Sequence, residues 1–392
     1  MNLWNDYQCI PLPQLLLFIV DNRGKTVPLS DEGTYKLIAT NCIRNERLYP
    51  SYEKVRFLSE STYQTWFRSH PIPGDILFVC KGTPGRCCMV PDPIDFCIAQ
   101  DMIALRTNPS IIYNRYLLVV LRSREIQKQI TNTSVGDVIP HFKKQFLDQL
   151  LIPVPPLDIQ RRIGDFYFSL AAKEEINRTI NDNLLSQAQA IFDYSYQVAD
   201  FQQPFTSLIH VLGGGTPKTG EAEFWNGRIP FFTPKDVGRP YAFKTEKTIT
   251  EAGLEHCNSR LFPKNTTFVT ARGTVGKVSL AGRPMAMNQS CYALASDLID
   301  PILVYFYALR AVNSLKHKAS GAVFDAIVTR DFDTETISVI SETESSRLLS
   351  LITPMMSAIH ANAEENLRLA SLRDSLLPKL MTGEIDVSAV SI

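Results

Sequence analysis

A chain of 392 residues that is 45% hydrophobic has room for two or three globular domains with sizeable cores. Its 40 basic and 40 acidic side chains cancel, which argues against gripping a polyanion by overall charge and leaves only a local basic face open. Eight cysteines without a CxxC pair read as reduced cytosolic thiols, not as a disulfide framework or zinc site, and no run approaches the roughly 18 uninterrupted apolar residues of a membrane span.

Residues 1–152 read as a first α+β unit. The apolar stretch Ile10 to Val20 contains Pro11 and Pro13 and lacks a basic flank, so it is a helix or strand of this unit and not a signal peptide. Tyr35 to Thr40 and Asp75 to Cys80 are β-rich, and Ile111 to Arg122 is apolar enough for a helix. Cys80, Cys87, Cys88 and Cys97 crowd one hairpin-like region, where burial is expected over metal binding.

Residues 153–200 read as a long helix. Pro153, Pro155 and Pro156 hold the chain extended, so the helix starts near Leu157, and neither proline nor glycine interrupts Asp165 to Tyr196. Ile176, Ile180, Leu184 and Ile191 recur at helical spacing and predict the packed face. Some 40 residues would make a rod of about 60 Å. Tyr194 to Gln203 is the expected joint to a second unit, residues 201–340, with strands at Ile229 to Thr233 and Asn265 to Thr270 and a helix at Pro301 to Val312.

Residues 341–392 contain a second long helix. Ser341 or Thr343 ahead of Glu344 supplies cap chemistry, Leu369, Leu372, Leu376 and Leu380 form the apolar stripe, and Gly383 is the stop. Pro354 predicts a kink or break.

The two halves correspond. Lys81-Gly82-Thr83-Pro84-Gly85-Arg86 lies over Arg272-Gly273-Thr274-Val275-Gly276-Lys277, 191 positions on. Gly24-Lys25-Thr26 lies over Gly214-Gly215-Thr216, Ala99 to Leu105 over Asn288 to Leu294, and Asn181 over Asn366. The fold class expected is therefore α+β: two similar globular domains separated by two long antiparallel helices, a pseudo-two-fold internal repeat. Two domains held by a rod match the geometry of a protein that reads two half-sites on one DNA duplex.

Ile152-Pro153-Val154-Pro155-Pro156-Leu157, Gln160-Arg161-Arg162-Ile163, Asn177-Arg178, Ile180-Asn181 and Ala188 to Phe192 resemble the central conserved region of type I restriction-modification specificity (S) subunits. Leu376 to Ile385 is similar to that family's C-terminal conserved end. Phe224 to Pro230 with Thr233 to Val237, like Arg23 to Thr26, is similar to the start of its target recognition domains. Here the second helix begins Val339-Ile340-Ser341-Glu342, without the proline-rich lead of the first. The resemblance implies that each unit reads one half of a bipartite double-stranded DNA target. It implies that the helices set the gap and dock two methyltransferase (M) subunits, to which restriction (R) subunits add. It also places S-adenosylmethionine, ATP and Mg in those partners, with no cofactor in this chain, no membrane and a cytoplasmic location.

Two rival readings stand beside this one: a methyltransferase or nuclease fused to recognition domains, and a helical scaffold that bridges partners without reading DNA. For the first, the expected catalytic motif is an Asn or Asp before two prolines and an aromatic, and Asn108-Pro109-Ser110-Ile111 is the nearest approach. Gly213 to Lys218 lacks phosphate-loop spacing and reads as a turn.

The DNA-contact candidates are Lys81, Thr83 and Arg86 with Arg272, Thr274 and Lys277, where two glycines let the backbone approach a phosphate and the threonine offers a hydroxyl. The alternative is a hairpin turn with solvated charges. Gln100, Asn288 and Gln289 carry amides suited to an adenine edge, or else are buried and fasten their own backbone. Asn41, Arg44, Lys235 and Asp236 follow strands where a loop can enter a groove.

Overall fold

The structure, a computed structural model, describes residues 3–22, 24, 26–52, 55–134, 140–318, 326–382 and 384–385. Arg23 and Lys25, from the stretch Arg23 to Thr26 expected to open the first domain, and the expected helix stop at Gly383 lie outside the described residues. Two compact units divide the chain, residues 1–176 with 366–392 and residues 177–365, so each long helix contributes to both.

The first unit holds α1 (Leu3–Asp6), β1 (Cys9–Pro11), β2 (Leu16–Val20), β3 (Tyr35–Ile38), β4 (Arg56–Leu58), α2 (Glu60–Thr65), β5 (Ile76–Val79) and β6 (Cys87–Met89). These are followed by β7 (Phe96–Ile98), β8 (Met102–Thr107), α3 (Asn114–Arg122), α4 (Arg124–Thr133) and β9 (Leu151–Pro153). The stretch Ile10 to Val20 is thus strand, a single 3-10 turn, and strand. Strands pair as β1-β9, as a four-stranded sheet β2-β8-β5-β6, and as β4-β3-β7, with β3 antiparallel to β4 and parallel to β7. Tyr116 to Leu121 of α3 are all buried, so this helix is wrapped on every side, as its unbroken apolar run requires.

The second unit contains β10 (Gln202–Pro204), β11 (His210–Gly213), β12 (Trp225–Phe232), β13 (Tyr241–Ala242), β14 (Lys247–Ile249), α6 (Glu251–Glu255), β15 (Thr267–Thr270) and β16 (Val278–Ala281), which follow the long helix α5 (Leu157–Gln197). It continues through β17 (Ala286–Met287), β18 (Cys291–Ala295), α7 (Pro301–Lys318), α8 (Thr329–Asp333) and β19 (Thr336–Ser338) to the second long helix, α9 (Glu342–Thr382). Its strands pair as β10-β19, as β11-β18-β15-β16-β13 and as β14-β12-β17, again with one antiparallel and one parallel neighbour for the central strand. Apart from the added β13, this is the topology of the first unit. The duplication reaches single side chains: the Tyr116 hydroxyl donates to Pro153 O at 2.8 Å, and the Tyr307 hydroxyl, 191 positions on, accepts from Ile340 N at 3.1 Å.

Both long helices have 41 residues, which at 1.5 Å per residue gives about 60 Å each. The α5 start is fixed by Gln160, buried, which accepts from Tyr113 N at 2.8 Å and donates to Ile111 O and Pro155 O. Gly164 lets α3 approach closely, since a Cβ there would lie 2.7 Å from Tyr116 N. Ser341 caps α9, its hydroxyl accepting from Glu344 N at 3.3 Å. Within the second unit, Ser195 near the end of α5 donates to Glu344 at 2.5 Å.

Three expectations about these helices are corrected. First, α5 runs on to Gln197, so Tyr194 to Gln197 belong to the helix and not to a joint. Second, α9 is unbroken at Pro354; this proline and Ser350, whose carbonyl loses its partner, are both exposed, so water can satisfy the freed group. Third, only half of the expected stripe packs: Leu184 and Ile191 lie against the second unit's core, and Ile176 and Ile180 do not. Ile176 and Ile180 are 55% and 41% exposed, and Leu372 of α9 is 48% exposed.

The buried stripe of α5 instead runs through Gln160, Ile163, Tyr167, Ala171, Glu174, Asn177, Asn181, Leu185, Ala188, Phe192 and Ser195, at spacings of three and four. Its outer parts join the domain cores: Ile163, Tyr167 and Ala171 pack with Leu380 and Met381 in the first unit's core. Leu185, Ala188 and Phe192 pack with Leu348, Ile352, Met356 and Ile359 in the second. The middle is polar. In the first unit Arg373 donates to Glu174 at 2.9 Å and Asn366 Nδ2 to Glu174 O at 3.2 Å. In the second, Asn181 Nδ2 donates to Ile359 O at 3.3 Å, Asn362 to Asn181 at 2.9 Å and Asn177 to Glu365 at 2.7 Å. Asn366 to Glu174 O and Asn181 to Ile359 O are the same contact in the two repeats. In each unit rising α5 numbers meet falling α9 numbers, so the helices pair antiparallel.

Arg373→Leu strips a 2%-exposed Glu174 of its cation and is expected to cost roughly 3–5 kcal/mol, read as a drop in thermal midpoint. Glu174→Leu combined with Arg373→Leu is expected to recover most of that loss. Equal midpoints for the single variant and the parent would show that this pair contributes nothing to the fold.

Candidate nucleic-acid interface

The two basic-Gly-Thr-any-Gly-basic runs are the β5–β6 and β15–β16 hairpin turns, and the same hydrogen bonds build both. Val79 N donates to Arg86 O and Gly85 N to Val79 O at 2.9 and 3.0 Å; Thr270 N donates to Lys277 O and Gly276 N to Thr270 O at 2.9 and 2.8 Å. All four glycines have positive φ, between 72° and 89°, where L side chains are strained. A neighbouring turn holds each base: Cys80 N and Lys81 N donate to Asp101 O, and Ala271 N and Arg272 N donate to Ser290 O. A returning segment closes the other side, through bridges Lys81–His141 and Arg272–Ala326. The charged residues Lys81, Arg86, Arg272 and Lys277 are exposed, and the second glycine of each turn, Gly85 or Gly276, is buried.

A helix lies under each second glycine. Gln127 of α4 donates from Nε2 to Gly85 O at 3.0 Å, and Lys316 of α7 donates from Nζ to Gly276 O at 2.5 Å. Lys316 is exposed as a whole residue, yet burial, and then the Lys277 charge, push its ammonium below the usual lysine range.

The threonines differ from expectation in the second unit. Thr274 Oγ1 donates to Pro234 O at 3.2 Å, so its hydroxyl ties the hairpin to the 3-10 turn Pro234–Asp236 and is not left over for a phosphate. Thr83 is half-buried. Asp236 is likewise structural: one oxygen accepts from Thr233 N and Thr233 Oγ1 at 2.8 and 2.6 Å, and the other accepts from Glu246 N at 2.7 Å.

Beside the second hairpin lies a cleft of about 410 Å³ that brings together Lys235, Arg272 and Asn288 with Thr216, Thr233 and Lys247. Lys235 pairs with Glu246 at 3.2 Å on the exposed rim, an arrangement easily exchanged for another anion. Gln289 accepts a hydrogen bond from Thr216 at the same place, and Asn288 Oδ1 accepts from Ser290 N at 3.1 Å, while its amide NH₂ has no hydrogen-bond acceptor among the described residues. In the first unit the matching cleft, about 260 Å³, is lined by Thr26, Thr40, Arg56, Gln100 and Asp101. Gln100 and Gln289 are both exposed, which removes the alternative that they are buried backbone fasteners. Asn41 lies in the 3-10 turn after β3, the counterpart of the Lys235 turn, and Arg44 follows it; both are exposed, and neither lines the cleft.

Arg56 and Lys247 are the functional candidates that the sequence reading missed. They lie 191 positions apart, the same shift as the hairpin turns, on β4 and β14, strands that pair with the central strand of each three-stranded sheet. The signal was there: each is followed one residue later by Phe57 or Thr248, then an aliphatic residue, a Ser or Thr cap and a glutamate. Ser59 and Thr250 are both helix caps, accepting from Thr62 N and Gly253 N. Lys247 also lies over the Trp225 ring, 5.3 Å from its centroid.

The cysteine cluster dissolves into cores. Cys80 and Cys87 belong to one hydrophobic cluster, Cys88 to a second and Cys97 to a third, and burial pushes the Cys97 thiol up to about 12. No group of potential metal ligands forms among the described residues. Nor is any described helix long and apolar enough to cross a membrane.

A family model described as the type I restriction modification DNA specificity domain matches the chain twice, over residues 18–186 and 205–363. The type I restriction enzyme MjaIX specificity subunit of Methanocaldococcus jannaschii is 33% identical over 120 residues, a match spanning 29% of this chain and 28% of that one. The HindI specificity subunit of Haemophilus influenzae is 22% identical over 80% of this chain and 86% of its own. The crystal structure of a type I restriction-modification S subunit from M. genitalium shares the fold with TM-score 0.60 at 13% identity, covering 96% of each chain. With both copies of the family domain falling on the duplicated units, the chain belongs to the type I restriction-modification DNA specificity family.

Proposed function

We propose that this chain is the DNA-reading subunit of a type I restriction-modification complex, without catalysis of its own. Each unit reads one half of a bipartite duplex target. The observation that carries this reading is the paired hairpin turn: one backbone arrangement, built twice, presents two exposed cations beside a cleft lined by amide and further basic groups. Phosphate contacts from Lys81, Arg86, Arg272 and Lys277 position the duplex, and Gln100, Asn288 and Gln289, with Arg56 and Lys247, read base edges. The two 41-residue helices set the gap between the half-sites and carry two methyltransferase subunits, to which restriction subunits add. S-adenosylmethionine, ATP and Mg then belong to those partners. A fused enzyme is disfavoured because the matched domains take up most of the chain.

For the chain co-expressed with its methyltransferase subunit, Lys81→Ala and Arg272→Ala are each expected to weaken duplex binding. Each lost phosphate contact lowers the slope of log affinity against log salt by about 0.9. An unchanged slope in both variants removes the hairpin turns from the interface.

Seven residues inserted near Leu184, matched by seven in the facing part of α9, keep the buried stripe in phase. The expected methylation pattern keeps both half-sequences and lengthens the gap between them. Altered half-sequences would contradict the division of labour between domains and helices.

A further inference from the structure

Gln127 and Lys316 occupy equivalent places, 189 positions apart in a repeat whose shift lies between 185 and 191. They are different residue types, yet each donates one hydrogen bond to the carbonyl of the second glycine in its hairpin turn. The turn leaves little slack there. A Cβ on Gly85 would lie 3.0 Å from Gln127, and one on Gly276 would lie 2.4 Å from Lys316, so the side chain and the bare glycine fit against each other in both units. Among the described residues the first glycine of each turn has no such close neighbour: none lies within 4 Å of a Cβ on Gly82, and Pro234 lies 3.7 Å from one on Gly273. The tip is tied by single hydrogen bonds, Gly82 N to Pro140 O and Thr274 Oγ1 to Pro234 O; the tightest side-chain packing is at the heel, one residue before Arg86 or Lys277.

We propose that Gln127 and Lys316 are positioning residues for DNA reading, each fixing its hairpin so that the flanking cations and the adjoining cleft meet the duplex in one orientation. This rests on the reading of the turns as DNA contacts. A carbonyl held by a directional donor fixes the peptide plane, and with it the exit direction of the next residue, Arg86 or Lys277. The repeat has exchanged an amide for an ammonium without losing the bond, so the donor is the shared requirement and the charge is not.

The test is selection of bound sequences from a library of random duplexes by the full chain co-expressed with its methyltransferase subunit. The parent is expected to select two short motifs; selection of none overturns the proposed function itself, separately from this inference. Lys316→Met is expected to flatten the second unit's motif and lower affinity about five-fold, the range of one lost hydrogen bond, with the first motif intact. Gln127→Met is expected to flatten only the other motif, which keeps the test open if either variant fails to fold. Lys316→Gln, which borrows the first unit's own solution, is expected to restore the motif. If Lys316→Gln matches Lys316→Met, and both lower the salt slope by about 0.9, Lys316 is a phosphate contact and the positioning role is overturned. Motifs unchanged in both methionine variants overturn it equally.

Discussion

The structure depends on how the buried stripe of α5 is divided between apolar ends and a polar middle. At its ends the stripe does not zip one helix to the other in isolation; it completes two domain cores. Tyr167 and Ala171 lie in one with Leu380 and Met381, and Phe192 lies in the other with Ile352 and Met356. Each fully buried side chain of this kind contributes about 1.5–3 kcal/mol, so a domain cannot pivot on its helix ends without losing part of its own core. Between those anchors Glu174, Asn177 and Asn181 face Arg373, Glu365 and Asn362. Buried polar pairs of this sort add little net stability, but they tolerate no slip: a shift by one turn strands every donor. Apolar ends give strength, and the polar centre gives register.

That arrangement explains why the stripe of isoleucines misled. Ile176 and Ile180 have the right spacing for a core, and a rule that assigns the most apolar face to the interior selects them. The chain instead buries asparagine and glutamate at the centre, where each finds a partner on α9, and leaves Ile176 and Ile180 outside, while Leu184 and Ile191 of the same stripe pack on the second core. Pattern reading fails where side-chain pairing decides burial. Pro354 misled for a related reason: its cost depends on whether the freed carbonyl meets water, and that is a property of the face, not of the residue.

Much else was legible. The starts of both helices followed from prolines at 153–156 and from Ser341, and the duplication followed from four matches in one order. The turns at 81–86 and 272–277 were readable because glycine at positive φ leaves a mark that few other constraints imitate. Arg56 and Lys247 were missed because a single basic residue on a short strand carries no such mark; only the constant shift of 191 singles it out. Thr274 and Asp236 were over-read, since polar side chains near a turn serve the turn as often as a ligand, and only the hydrogen bonds tell these apart.

Duplication also bears on function. If the hairpins are the DNA contacts proposed above, they must be held still while the bases under them vary, and the same backbone hydrogen bonds hold each of them in the two units. The cleft, by contrast, differs: about 260 Å³ with Arg56 and Gln100 in one, about 410 Å³ with Lys247 and Asn288 in the other. One scaffold with two linings suits two unlike half-sequences. Methylome sequencing of cells carrying this chain and its methyltransferase tests that account most directly. It predicts two unlike short motifs separated by a gap of fixed length; a single continuous motif, or methylation independent of this chain, would contradict it.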